Sequence, residues 1–132
     1  MDFSEKMIEI AAAKMPEAVL CRHDFTKGLP ETFKNERFDA IICTYAIHHL
    51  SVSQQTALLK ELKEHLLPQG KILIGDVAFE TMEELDHCRE ISRDDWDDEE
   101  IYPVAEILRT DFPDILFQKV SFCAGILILP AA

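Results

Sequence analysis

An α/β domain on a mostly parallel, twisted sheet that ends in an antiparallel hairpin is the fold class this sequence predicts. Three observations carry it. Helical and strand-like patterns alternate along the chain; residues 38–45 and 71–76 are near-continuous apolar runs; and the last two strand candidates are separated only by Ala124-Gly125. Continuous apolar runs mark strands covered on both faces, as in a parallel sheet. A short connection containing glycine joins antiparallel neighbours instead. Alternating strands and helices place the helices on the faces of the sheet.

The elements follow in order. Residues 4–15 carry Met7, Ile8, Ala11, Ala12 and Met15 on one helical face, with Ser4 as cap, Glu5 in the first turn and Pro16 as the stop. Residues 18–25 read as a short strand, 27–30 as loop and 31–36 as one helical turn. After the strand at 38–45, the spacing predicts a helix over 53–66. Its inner face holds Leu58, Leu59, Leu62 and Leu66, its cap is Ser51 or Ser53, and Pro68-Gln69-Gly70 stops it. Residues 71–76 form the next strand and 81–92 the next helix; Pro103 suits the first position of a last helix ending near Thr110. Strands at 116–123 and 125–129 close the chain. No repeat or linker interrupts this order, so residues 1–132 read as one domain with an expected five-stranded sheet.

At 132 residues, with 48% hydrophobic and 8% aromatic composition, the chain is long and apolar enough to bury a core. No apolar run reaches the roughly 20 residues of a membrane helix, and Met1-Asp2-Phe3-Ser4-Glu5-Lys6 lacks the basic-then-apolar order of a signal peptide. A soluble, cytoplasmic protein without a membrane partner is expected. The net charge of −12 argues against nucleic acid as a partner, because binding it requires cationic surface. The acidic run at 94–100 reads as a solvated segment. Cys21, Cys43, Cys88 and Cys123 show no metal-ligand spacing and are expected as buried, reduced thiols, with no metal site.

Four local motifs then carry a resemblance: Asp2-Phe3-Ser4-Glu5-Lys6-Met7; His23-Asp24-Phe25; the run from Phe38-Asp39-Ala40-Ile41 to Ala46-Ile47-His48-His49-Leu50; and Leu67-Pro68-Gln69-Gly70-Lys71-Ile72-Leu73. Together they resemble class I S-adenosylmethionine-dependent methyltransferases, in particular the small bacterial UbiE-like type, with a Rossmann-like sheet. The resemblance implies that S-adenosylmethionine is the cofactor. Asp2, beside Phe3, would accept hydrogen bonds from the ribose, and Asp24 and Phe25 would meet the adenine. Thr44, Tyr45 and Ala46 would line the methionine part, and His48 or His49 would orient or deprotonate an acceptor. On the residues alone other roles stay open: helix capping for Asp2, turn chemistry for Asp24, packing for the histidine pair. Trp96 and Tyr102 fall where relatives build an acceptor lid, or else anchor their loop.

The family's glycine-rich cofactor loop has no counterpart here. The four glycines, at 28, 70, 75 and 125, are isolated, whereas that loop needs clustered glycines for close backbone approach. The expectation is an N-terminally truncated, incomplete domain with weak or absent cofactor binding and an unknown small-molecule acceptor. The alternative reading is a non-catalytic interaction module. An apolar edge on the strand at 38–45 would be open either to residues 18–25 or to a second copy, as a homodimer.

Overall fold

The computed structural model describes residues 1–131 and divides into two units, Met1–Glu36 and Arg37–Ala132. In the first, helix α1 spans Glu5–Lys14, because Ser4 caps it by accepting from the Met7 amide at 3.3 Å. The predicted apolar stripe is not buried: Met7 and Met15 are 52% and 53% exposed. Residues 18–25 form no strand. They make one parallel bridge, Asp2↔Arg22, through Asp2 N to Cys21 O and His23 N to Asp2 O. A strand exists only by pairing, and this ladder has a single rung. One-turn 3₁₀ helices follow at Phe25–Lys27 and at Glu31–Phe33, the latter where a helical turn is predicted.

The second unit holds a four-stranded sheet. Strand β1 (Phe38–Thr44) runs parallel to β2 (Leu66–Val77), with Ile41 opposite Ile72 and Cys43 opposite Ile74. The closing strands are β3 (Leu116–Lys119) and β4 (Ala124–Pro130); β4 lies antiparallel between β2 and β3, giving the order β1-β2-β4-β3. The sheet has four strands, not five, because residues 18–25 do not join it. β1 is an edge strand, and Ile42 is 68% exposed, so its run is covered on one face only. On the covered face Ile72, Ile74, Leu127 and Leu129 are buried together with Leu58, Leu59 and Leu62 of helix α2 (Val52–Glu64). Ser51 and Gln54 close a capping box at the start of α2.

Leu66, expected on that helix, instead opens β2. The turn at Pro68-Gln69-Gly70 is absorbed as a bulge: the register jumps from Phe38↔Leu66 to Ala40↔Lys71, with Gln69 at φ 67°. A Cβ at Gly70 would lie 2.9 Å from Leu67 O and 3.0 Å from Phe38 O, so only glycine fits there. Helix α3 (Met82–Ile91) is capped by Thr81. The short helix α4 (Ala105–Leu108) begins beyond Pro103, since the Pro103 carbonyl and Val104 are held extended against Phe79. The hairpin turn is residues 120–123 rather than 124–125, because the Val120 and Ser121 amides both donate to Ala124 O. Cys88 and Cys123 form a disulfide from α3 to this turn, correcting the expectation of four reduced thiols; Cys21 and Cys43 are free. None of the described helices is long and apolar enough to cross a membrane.

Candidate functional site

β1 ends in a conformation that few residues other than glycine adopt. Tyr45 sits at φ 49°, with its amide bonded to Gly75 O at 2.8 Å, and the residue is 64% exposed. Such left-handed backbone is costly for a bulky residue and collects at functional positions. The turn lies just beyond the carboxyl end of a parallel strand, where open α/β sheets bind ligands. Thr44 and Tyr45 are exposed and Ala46 is half-buried. The chain then enters a 3₁₀ turn, Ile47–His49, anchored by the fully buried Ile47.

That anchor turns His48 inward. Its Nδ1 lies 2.9 Å from both Asp76 oxygens, and Asp76 itself is buried at the end of β2. A carboxylate only accepts, so Nδ1 carries the hydrogen and donates it. Asp76 Oδ1 also accepts from the Val77 amide at 2.7 Å. The other ring nitrogen, Nε2, faces Glu100 Oε1 at 3.6 Å, and Glu100 Oε2 accepts from the Tyr102 hydroxyl at 2.7 Å. Gln55, buried on α2, places its Nε2 within 3.3 Å of Ile47 O, 3.2 Å of Leu50 O and 2.7 Å of Ile101 O. It thereby ties the His48 turn to the segment carrying Glu100. His49 is exposed, its ring 4.2 Å from that of His48. Of the two histidine candidates, His48 is the buried one and pairs with Asp76.

The electrostatics follow from this burial. Desolvation, and then the Asp76 charge, push the Cys43 thiol up to about 11. Desolvation first, then the bond to Glu100, holds the Tyr102 phenol well above its ordinary value. Trp96 is anchored, its ring 5.0 Å from Tyr102 and 6.4 Å from Phe79, with the Arg89 guanidinium 5.6 Å over it.

In the first unit the predicted carboxylates serve their own turns. Asp2 Oδ1 accepts from the Ser4 amide at 2.9 Å. Asp24 Oδ1 accepts from the Thr26 hydroxyl at 2.7 Å and the Thr26 amide at 3.0 Å, which lowers its pKa. The Oδ2 atoms of both have no hydrogen bond among the described residues. Phe3 is exposed and Phe25 half-buried. Asp76, Glu100 and Gln55 are absent from the sequence-derived candidates. Asp76 carried a usable signal, a lone acid at the carboxyl end of an apolar strand; Glu100 is indistinguishable within its acidic run.

A family model described as a methyltransferase domain matches residues 1–70, which contain the motifs around Asp2, Asp24 and His48. An uncharacterized methyltransferase of Oceanobacillus iheyensis is 32% identical over 127 residues, covering 90% of this chain and 57% of that protein. The chain thus spans little more than half of that relative's length. Among solved structures, the N-methyltransferase NodS from Bradyrhizobium japonicum WM9 in complex with S-adenosyl-L-homocysteine superposes with a TM-score of 0.63 at 15% identity, over 98% of this chain and 63% of that one. Magnesium protoporphyrin IX methyltransferase from Synechocystis PCC 6803, with the same ligand bound, gives 0.64 at 16% identity, over 98% and 62%. These two likenesses concern the fold, which is the Rossmann-like class I arrangement. With the family model covering more than half of its length, the chain belongs to the methyltransferase-domain family.

Proposed function

We propose that the chain forms one partial domain of an S-adenosylmethionine-dependent methyltransferase of the small bacterial, UbiE-like type, acting on a small-molecule acceptor. The observation that carries this reading is the left-handed Tyr45 turn leading directly into the His48–Asp76 pair, at the carboxyl ends of two parallel strands. When bound, S-adenosylmethionine supplies a methyl group on a positively charged sulfur. The chain's own residues would do the rest. By the resemblance of their motifs, Thr44, Tyr45 and Ala46 would line its methionine part, and Asp2, Phe3, Asp24 and Phe25 would meet ribose and adenine. Asp76 fixes the His48 tautomer, leaving Nε2 as the atom that takes or holds an acceptor proton.

The isolated glycines offer no cradle for close backbone approach, so affinity should depend on sequence beyond these 132 residues. Titration calorimetry with S-adenosylmethionine and S-adenosylhomocysteine tests this on two forms: the chain alone, and the chain fused behind the N-terminal segment of the Oceanobacillus relative. Micromolar binding is expected only for the fusion, weakened by Asp2→Ala. Equal binding by the short chain would remove the dependence on a glycine loop. No binding by the fusion would sink the assignment of the cofactor.

A further inference from the structure

We propose that Glu100 occupies the seat of the acceptor, and that the acceptor is an oxygen acid, a phenol or a carboxylic acid, which displaces Glu100 from His48 and Tyr102. The inference rests on the reading of the site given above and names its substrate class.

The His48 side chain is only 11% exposed, and its Nδ1 side is closed by Asp76 from β2. One direction remains, along Nε2, and Glu100 fills it. Among the described residues, the charged and titratable groups that contact the ring include Asp76 behind it, Glu100 and Tyr102 from the segment after α3, and His49 within its own turn. Glu100 is the inturned member of its run, since Asp97, Asp98 and Glu99 are exposed. At 3.6 Å the Nε2 contact is an ion-pair distance, longer than a directed N–H···O bond. Among the described residues, the Glu100 carboxylate is bonded closely by the Tyr102 hydroxyl, at 2.7 Å. A contact of that kind is exchangeable.

The seat therefore presents two donors, a ring N–H and a phenolic O–H, to one pair of carboxylate oxygens. An oxygen acid reproduces this arrangement. Entering as its anion, it takes the place of the Glu100 carboxylate between these two donors, and Glu100 leaves still ionised; no covalent bond changes. The product is the pairing Glu100 already makes. An alkylammonium brings only donors, which neither imidazolium nor the Tyr102 hydroxyl hydrogen can satisfy.

Sodium benzoate is the probe, titrated into the 132-residue chain without cofactor and followed by calorimetry. Trp96 fluorescence locates the event, because the chain's one tryptophan packs on Tyr102. Glu100→Ala should bind benzoate about tenfold more tightly than the unaltered chain, and adding His48→Gln or Tyr102→Phe should abolish the gain. Benzylamine should show none. Glu100→Gln repeats the comparison with the side chain's shape retained. The seat is refuted if neither Glu100 variant gains affinity, if the gain survives loss of His48 and Tyr102, or if benzylamine gains equally. Because no cofactor is present, a negative benzoate result leaves the cofactor titration standing, and a negative cofactor result leaves the seat standing.

Discussion

Asp24, expected at a strand end, and Asp76, found at one, have opposite environments. Asp24 satisfies itself two residues away, on Thr26, at a fully exposed turn. Asp76 is buried and satisfied by a histidine 28 residues away. The difference runs through both units. In Met1–Glu36 the caps and turns close over a few residues, and α1 buries nothing. In the second unit caps close locally too, but the sheet also brings residues far apart in sequence together, and Asp76 is satisfied that way. Local satisfaction leaves a carboxylate with an oxygen to spare for a ligand. Long-range satisfaction consumes the carboxylate and passes its chemistry to its partner.

The largest expected effect tests the buried member. Asp76→Ala strips His48 Nδ1 and the Val77 amide of their acceptor in a dry site. Breaking a buried pair in this way costs about 3–5 kcal/mol, read as a lower urea midpoint at unchanged slope. Asp76→Asn keeps an acceptor oxygen and should recover much of it. A loss under about 1 kcal/mol, the level of an exposed pair, would show that water reaches the site and that the contrast with Asp24 is only one of distance.

The next test concerns Gln55, which couples the His48 turn to residues 100–102. Gln55→Leu fills the same space without donors and takes the side-chain donor from Leu50 O, while Ile47 O keeps the Leu50 amide, at about 1–3 kcal/mol. It should also speed hydrogen exchange at the Ile101 amide, which bonds His48 O. Stability lost without faster exchange at Ile101 would make Gln55 a packing residue only.

What was legible in the sequence divides along the same line. Ser4, Ser51 and Thr81 announce helix starts because a cap is a contact over three residues. The strand at 38–45 and the closing hairpin are likewise written in short patterns. Gln55 was half legible, a polar residue on the stripe shared with Leu58, Leu59 and Leu62. The Cys88–Cys123 disulfide was not, since its partners stand 35 residues apart with no spacing to mark them. The residues at 18–25 failed in the other direction: their composition suits a strand, but strand formation is decided by a neighbour. Asp2, Asp24 and Thr44–Ala46 were expected through motifs, whereas the His48–Asp76–Glu100 network required the sheet.

The smallest expected effect tests the exposed member. Thr26, chiefly through its hydroxyl and then through its amide, holds the Asp24 carboxyl below its ordinary value of 3.8. A lowered folded-state pKa contributes stability above the unfolded value and loses it as pH falls through the folded one. Asp24 is fully exposed, so solvent screens that contribution. Thr26→Val removes the hydroxyl while keeping the amide and the shape. The Asp24 carboxyl resonance should then titrate at higher pH, with the urea midpoint at pH 3 and at pH 7 unmoved. A midpoint that falls at pH 7 but not at pH 3 would mean that Asp24 is tied into the fold as Asp76 is. Its carboxylate would then belong to the structure rather than to a ligand.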